Sequence, residues 1–508
     1  MRLLAALVLL LFVSTNAHAE WRKSETRHFT IYSEGSELSL RNFAIKVERF
    51  DTVLRRRFGV SDQDFPQKLT IFMLPTQASV AKASAAGRDV AGIYIPNGEG
   101  SIAIVNRASN NSKYDLDADA VLFHEYSHHF MYRYLPIAYP AWFSEGFAEF
   151  LATTDFTKEG YAKRGLPPFY RAEGLLHQEH IPVWTVLTTN VDEIPAGQHD
   201  SFYGRFWLLV HFLNFTETRL GQLSKYLTAI NGGTSNAEAA REAFGDLKLL
   251  DKELTAYLNR GRMSYKIESD VTPAPERVDI TTVSAGAGAT MMQFLALRRG
   301  VNETELPSLI GALNASAQKF PRDPEPQVLL AEAKYRSGDD SGAVQAADAA
   351  LALVPTLSRA SLYKGRAMLR QNIKDNVSDP ARWKEARGWI VKANRADVND
   401  PMPLFVFYQS FHQQGLQPSP SALQGLARAY QMVPEDRDIR LTYAFSLAAE
   451  RKFVPAIRLI ETVAFDPHNG PGSAGARSIL KRLHAAKDGK GGDATDIFGD
   501  EMENKSDK

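Results

Sequence analysis

The feature that most constrains this chain is a pair of histidines, His124 and His128, in the segment His-Glu-Tyr-Ser-His. Residues four apart on a helix lie about 40° apart around its axis, so both imidazoles can reach one ion. The segment 117–134 predicts such a helix, because apolar residues recur along it and neither proline nor glycine interrupts it. Taken alone, the same segment also fits a polar surface helix.

A second motif, Glu-Gly-Phe-Ala-Glu, begins at Glu145 after sixteen intervening residues. Catalytic zinc usually takes three protein ligands and keeps a fourth position for water, and Glu145 fits the third protein position beside the two histidines. Gly146 and Ala148 are small, so we expect this second helix to pack closely on the first. Glu149 follows one turn after Glu145, where a carboxylate can accept the free N–H of a ligating histidine.

Together, His-Glu-x-x-His at 124–128 and Trp-x-x-Glu-Gly-x-Ala-Glu at 142–149 resemble the gluzincin metallopeptidases, the peptidase MA-like relatives of thermolysin and aminopeptidase N. The resemblance covers about residues 21–265. It implies an α+β catalytic domain of the gluzincin type, with a mixed sheet and a helical zinc-site lobe. It also implies one zinc ion per chain, held by the residues His124, His128 and Glu145.

In that arrangement Glu125 is the general base, which takes a proton from zinc-activated water and passes it to the leaving nitrogen. The oxyanion needs a further hydrogen-bond donor, for which we predict Tyr203, with His199 and His211 as alternatives. An aromatic residue packed at a helix start describes Tyr203 equally well. His129 points about 100° away from its neighbouring ligand, which predicts a supporting or surface position.

Two absences narrow the substrate class. No G-x-M-x-N motif, the amine-anchoring signature of aminopeptidase N relatives, precedes the zinc helix, and no Gly-x-x-His follows His128 as in metzincins. An endopeptidase is therefore expected. Related enzymes bind extended peptides along an exposed strand, and the alternating run 101–105 is the predicted binding strand.

Shorter patterns complete the catalytic domain, predicted to span 20–265. Alternating apolar runs at 28–32, 69–73 and 101–105 predict strands, and 39–58 has helical spacing. Residues 266–287 contain prolines and a Gly-Ala run, which predict a linker.

Prolines punctuate the rest of the chain at intervals of 34, 46, 33 and 33 residues, at positions 321, 355, 401, 434 and 467. Alanines recur 12 and 5 residues before two of these prolines, and Gly338 and Gly415 fall where turns are expected. The pattern resembles the tetratricopeptide repeat and predicts an all-α TPR-like repeat domain over 288–470, with an insertion near 372–381. An irregular helical bundle is the alternative. The concave surface of such repeats would hold a protein partner or substrate.

The ends of the chain have different patterns. Residues 1–19 have the pattern of a signal peptide, with Arg2, an apolar run and Ala-His-Ala, which predicts a mature chain from Glu20 in the periplasm or medium. No later segment is long and apolar enough to span a bilayer. The 59 basic and 59 acidic residues give no global reason to bind nucleic acid, and the chain has no cysteine. The polar tail 471–508 predicts disorder.

The sequence therefore predicts an exported zinc-dependent peptidase whose TPR-like repeats recruit protein or peptide substrates. The alternative is a periplasmic interaction scaffold with an inactive peptidase fold. Hydrolysis of a non-protein amide, such as a cell-wall crosslink, is a third possibility.

Overall fold

A computed structural model describes residues 20–61, 67–85, 90–108, 112, 114–195, 197–269, 277–464, 470–490 and 492–499. The predicted signal peptide and the last residues of the predicted tail, 500–508, lie outside this part of the chain. No helix in the described ranges is both long and apolar enough to cross a membrane.

A mixed sheet organises the first half of the molecule. The described strands are β1 (Arg22–Glu25), β2 (Phe29–Ser33), β3 (Leu69–Leu74), β4 (Gly92–Ile95), β5 (Ile102–Asn106), β6 (Asp155–Phe156), β7 (Ala162–Arg164), β8 (Lys266–Glu268) and β9 (Asp279–Thr282). In the described residues the mixed sheet has six strands, in the order β4-β5-β3-β2-β1-β9, and β6, β7 and β8 form a smaller sheet. Strands β2, β3 and β5 run parallel to one another, whereas β4, β1 and β9 pair antiparallel with their neighbours. The three predicted strands are confirmed as β2, β3 and β5, and the N-terminal α/β region has the predicted mixed sheet.

Helices cover the sheet and build a helical lobe beyond it. They are α1 (Glu37–Phe58), α2 (Gln77–Ser84), α3 (Ala118–Tyr134), α4 (Ala141–Ala152), α5 (Ala172–Leu176), α6 (Val183–Thr188), α7 (His199–Phe215), α8 (Gln222–Asn231), α9 (Asn236–Phe244) and α10 (Leu247–Leu258). Helices α1 and α3 share the main core with β2 and β3. The predicted helices at 39–58 and 117–134 are thus confirmed as α1 and α3.

The predicted linker at 266–287 is wrong for residues 266–269 and 277–287, because these residues contribute two strands, and residues 270–276 lie outside the described part of the chain. Strand β8 pairs with β7, and β9 pairs with β1 from Arg22–Thr282 to Glu25–Asp279. The outer edge of β1 would otherwise leave backbone donors and acceptors without strand partners. Composition alone missed β9, since its four residues Asp279–Thr282 are mostly polar.

From residue 285 onward, the described part of the chain consists of helices and the turns that join them. Its helices are α11 (Ala285–Ala289), α12 (Met291–Arg299), α13 (Leu306–Lys319), α14 (Pro324–Arg336), α15 (Asp340–Leu353), α16 (Ser358–Lys374), α17 (Pro380–Ala396), α18 (Pro401–Gln413), α19 (Pro420–Met432), α20 (Arg437–Ala449), α21 (Phe453–Ala464), α22 (Gly470–Lys487) and α23 (Ala494–Phe498). From α14 to α21, consecutive helices joined by short turns pack as successive pairs. The predicted helical repeat region is confirmed.

The turns and small residues fall where the repeat pattern predicts them. Gly338 and Gly415 adopt φ angles of 85° and 74°, which L side chains rarely adopt. The four phase-keeping alanines, Ala343, Ala350, Ala422 and Ala429, are fully buried. The predicted insertion is not a loop alone, because α16 and α17 each have 17 residues where α14 has 13. About one extra turn on each helix accounts for more than half of the longer proline spacing.

The predicted disorder of 471–508 is wrong for the described part of that segment. Helices α22 and α23 occupy it, and Leu483, Ile497 and Phe498 are buried in a core shared with α20 and α21. These few apolar side chains close the end of the helical stack, although the surrounding composition is polar. Burial of an exposed helix face by a terminal unit is a general need of repeat proteins.

Helix α4 packs on α3 as expected, but the close approach that Gly146 allows is to α7. A Cβ at Gly146 would lie 2.4 Å from the Phe206 carbonyl oxygen and 3.0 Å from Val210 Cγ2. Glycine therefore lets the backbones of two buried helices approach each other. This approach sets the position of α7 relative to the residues on α4.

We predict that Gly146→Ala lowers the stability of the protein by about 1–3 kcal/mol, because its methyl group must displace the α7 backbone. Gly311→Ala on α13 is the matched control, since a Cβ there has open space around it. The control should stabilise by about 0.5–1 kcal/mol through its effect on the unfolded chain and helix propensity. Urea unfolding compares the two, and equal midpoints would contradict the proposed packing.

Candidate metal centre

Helices α3 and α4 bring the three predicted ligands together. Asp117 caps α3 by accepting a hydrogen bond from the Ala120 amide, and α4 begins directly after Pro140. The Nε2 atoms of His124 and His128 lie 3.2 Å apart. His124 Nε2 lies 3.3 Å from Glu145 Oε2, and His128 Nε2 lies 3.5 Å from Glu145 Oε1.

These separations suit a tetrahedral zinc site. Ligand atoms bound at about 2.0–2.2 Å with tetrahedral angles lie about 3.3–3.5 Å from one another. One donor atom from each of His124, His128 and Glu145 lies within 4.8 Å of the other two. Two imidazoles and one carboxylate are also a usual donor set for catalytic zinc. The residues therefore fit the ion that the sequence predicts.

Glu149 contacts the second ring nitrogen of His124, as expected of a carboxylate that supports a metal ligand. Its Oε1 lies 3.3 Å from His124 Nδ1. Burial by itself lowers the pKa of His124, but hydrogen bonds to Glu145 and Glu149 raise that pKa to about 10. Two buried carboxylates thus make this position favourable for positive charge, whether protons or a metal ion.

An arginine that sequence reasoning missed balances Glu149. Arg171 Nη2 lies 2.8 Å from Glu149 Oε1, and Tyr170 donates a hydrogen bond to Glu149 Oε2 at 3.0 Å. Arg171 also contacts Asp200 at 3.1 Å. Burial raises the pKa of Glu149, but Arg171 and His124 outweigh it and lower that pKa to about 2. No local motif marks Arg171, because it lies 22 residues from its partner.

The second histidine has its own supporting contact. Ser144 Oγ lies 3.4 Å from His128 Nδ1 and 3.1 Å from the Tyr132 hydroxyl. Ser144 is fully buried and directly precedes Glu145 on α4. It holds the ring of a predicted ligand from the side away from the other donors, a contact that the sequence did not predict.

Tyr203 lies at the site. Its two alternatives, His199 and His211, do not occupy that position. The Tyr203 ring stacks near His124 with centroids 6.2 Å apart, and its hydroxyl interacts with Glu145. Burial raises the pKa of Tyr203 well above its ordinary value of 10. His199 is exposed beside it, and His211 is buried elsewhere against Gly165 and Tyr257. His211 is therefore wrong as an alternative donor.

His129 is buried, so of the two predicted positions, supporting or surface, the surface position is wrong. Its Nδ1 lies 3.2 Å from the Tyr94 hydroxyl on β4, and burial lowers its pKa well below 6.5. The neutral ring packs between α3 and the sheet and supports the helix that carries the ligands.

A second group of ionisable residues lies behind α3. His28 Nδ1 is 2.8 Å from Glu48 Oε2 and 3.2 Å from Asp51 Oδ2. These three residues could also hold a cation. Arg55 already contacts Asp51 at 2.6 Å, and Tyr126 of α3 donates a hydrogen bond to the same carboxylate. We interpret this network as a structural link between α1 and α3.

The candidate centre opens into a cavity of about 440 Å³ with walls from both halves of the chain. Glu125 lines it next to the ligands. One wall comes from β4 and another from the repeat region, through residues that sequence reasoning had no way to place there: Glu435, Arg437, Arg440, Thr462 and Val463. The described cavity is thus a cleft between two regions.

The predicted substrate-binding strand at 101–105 is wrong. It corresponds to β5, which pairs with β4 on one side and β3 on the other, so neither edge is open. Strand β4 pairs with β5 and, in the described sheet, has no strand on its other side. Gly92, Ile93 and Tyr94 of β4 line the cavity. The edge strand at the site is therefore β4.

No family model and no curated protein matches the chain. Among solved structures, the chain is similar to a thermophilic TPR protein of Thermus thermophilus, with 14% sequence identity and a TM-score of 0.32. The similarity covers 38% of this chain and 98% of that one. The helical pairs from α14 to α21 are established by the packing of this chain itself.

We predict that Arg171→Gln lowers the free energy of unfolding at pH 7 by about 3 kcal/mol, since it removes the guanidinium group that pairs with the buried Glu149 carboxylate. The folded pKa of Glu149 is about 2 against an ordinary 4.5, so its stabilisation is present above pH 4.5 and is lost as pH falls towards 2. The difference between wild type and variant should therefore shrink below pH 4.5.

Urea unfolding between pH 7 and pH 3 measures this difference, with the exposed Arg262→Gln as the matched control. A difference that does not change with pH would contradict the assigned ion pair.

Proposed function

We propose that this chain is a zinc-dependent peptidase that cleaves within protein or peptide chains. The observation that carries the proposal is the convergence of His124, His128 and Glu145 at tetrahedral spacing, with Glu125 in the same cavity wall. When bound, a zinc ion would supply Lewis-acid activation of water and of the substrate carbonyl. Export to the periplasm or medium is proposed from residues 1–19.

The chain's own residues perform the proton transfers in this proposal. Glu125 accepts a proton from the attacking water and delivers it to the leaving nitrogen. Tyr203 lies beside His124 and Glu145 and donates a hydrogen bond to the oxygen of the scissile carbonyl as negative charge develops there. An extended substrate pairs with the backbone of β4, the edge strand along the cavity.

A scaffold role is the second candidate function, favoured by the succession of helix pairs from α14 to α21. Such stacks present long surfaces to protein partners. A partner or substrate would bind the helical surface, and the candidate metal centre would then serve structure alone. Loss of a cellular phenotype in Glu125→Gln favours the peptidase, whereas an unchanged phenotype favours the scaffold.

We predict about one zinc per chain, lost in His128→Ala, because catalytic zinc needs its three protein ligands. His177→Ala, an exposed histidine, is the matched control and should keep the metal. Mass spectrometry of the purified proteins measures metal content. Zinc retained in His128→Ala, or absent from wild type, would contradict the assigned ligands.

We predict that Glu125→Gln lowers the rate of casein cleavage by about 10²–10⁴-fold while zinc stays bound, because the amide cannot accept the proton of water. Tyr203→Phe should lower kcat by about 10–10³-fold, since it removes one hydrogen-bond donor to the oxyanion. Quenched-casein assays measure both. Purified peptidoglycan tested alongside distinguishes a protein substrate from a cell-wall amide.

A further inference from the structure

The turn that joins β4 to β5, residues 96–101, lies against the helical repeats. A Cβ at Gly98 would lie 3.0 Å from Met402 Sδ and 3.2 Å from Asp436 Oδ2, and Asn97 Nδ2 donates to the Arg298 carbonyl oxygen at 2.8 Å. The turn thus contacts α12, α18 and the start of α20. The chain's own turn therefore covers this part of the helical surface.

Glu99 is the charged residue of this turn, and its carboxylate binds four donors. Oε1 accepts hydrogen bonds from the Tyr363 hydroxyl at 2.5 Å and from Arg366 Nη1 at 3.2 Å. Oε2 contacts Arg298, and it lies 3.6 Å from Arg336 Nη2. The Glu99 side chain is 11% exposed. These contacts reach three different helices of the repeat region, α12, α14 and α16.

The charges around Glu99 make its carboxylate necessary. Arg298 and Arg336 each contact both Glu99 and Glu332, and Arg359 also contacts Glu332. Without Glu99, the same guanidinium groups have one carboxylate fewer to compensate their positive charge. The cluster is largely removed from water. Breaking one partner of such a buried network is costly, because the remaining charges lose their compensation.

The other end of the same hairpin lies at the candidate centre. Strand β4 packs directly on α3, since a Cβ at Gly92 would lie 2.2 Å from Val121 Cγ1 and 3.3 Å from Glu125 Cγ. In the described sheet β4 is held by strand pairing on one side only. Its position along the cavity therefore depends on β5, on α3 and on the turn that Glu99 anchors.

We propose that Glu99 is a positioning residue, which holds β4 at the cleft through the turn 96–101 and thereby lets the repeat region set the affinity for peptide. This inference rests on the proposed peptidase function. Glu99 is not part of the centre itself, because His124, His128 and Glu145 lie on α3 and α4. Its loss therefore acts on substrate binding and leaves the chemical step in place.

The test compares Glu99→Gln with Glu303→Gln, an exposed glutamate in the loop before α13. We expect Glu99→Gln to raise KM for a quenched peptide about tenfold with kcat within about twofold, the pattern of lost ground-state binding. Tyr363→Phe removes one uncharged donor and should raise KM less. The double variant should then be less than additive, since both changes act on one carboxylate.

Hydrogen exchange of the full chain gives a readout that does not need activity. The backbone amides of β4 should exchange about tenfold faster in Glu99→Gln, with α3 unchanged, because only the hairpin has lost an anchor. Unchanged KM together with unchanged β4 exchange would overturn the inference. If wild type cleaves no peptide, that result counts against the proposed function, and the exchange measurement decides the inference. If Glu99→Gln does not fold, Tyr363→Phe decides it by the same two measurements.

Discussion

The burial of two carboxylates one turn apart on α4 is the constraint on which the rest of this structure depends. Glu145 and Glu149 are each 1% exposed, and a buried charge is unfavourable by several kcal/mol unless it is compensated. The imidazoles of α3 lie on one side of them and Arg171 on another. The same carboxylates that make the centre favourable for a cation therefore also determine which elements surround α4.

The packing of α4 explains how a third helix reaches the centre. Glycine at position 146 lets the α7 backbone approach, and the first turns of α7 then carry Tyr203 to within reach of Glu145. On the opposite side, Ser144 supports the ring of His128. Glu145 and Glu149 lie about 40° apart on one face of α4, whereas Ser144 points about 100° away from Glu145, so one buried helix presents two carboxylates and a hydroxyl to different partners.

The two halves of the chain line one cavity and are joined by buried polar contacts. Glu435 of the repeat region accepts hydrogen bonds from Arg133 at 2.8 and 3.0 Å and from Ser101 at 2.9 Å. Arg133 lies in the last turn of the helix that carries the two histidines, and Ser101 precedes β5. The contacts of Glu435 and those of Glu99 are thus two buried interactions that hold the repeat helices against the cleft.

Local patterns determined much of this molecule before any contact was known. Helical spacing predicted α1 and α3, alternation predicted β2, β3 and β5, and proline spacing predicted the helix pairs, because each pattern depends only on residues within a few turns. The motif spacing likewise brought His124, His128, Glu145 and Glu149 into one proposal.

Tertiary structure decided which element covers each face of another. It placed β4 at the edge, turned Gly146 towards α7, ordered the polar segments around β9 and α23, and joined Glu99 and Glu435 to the other half of the chain. Periodicity shows that one face of an element is apolar or charged. It does not show which element covers that face, because the partner can lie about 300 residues away in the sequence. Only packing and charge compensation select that partner.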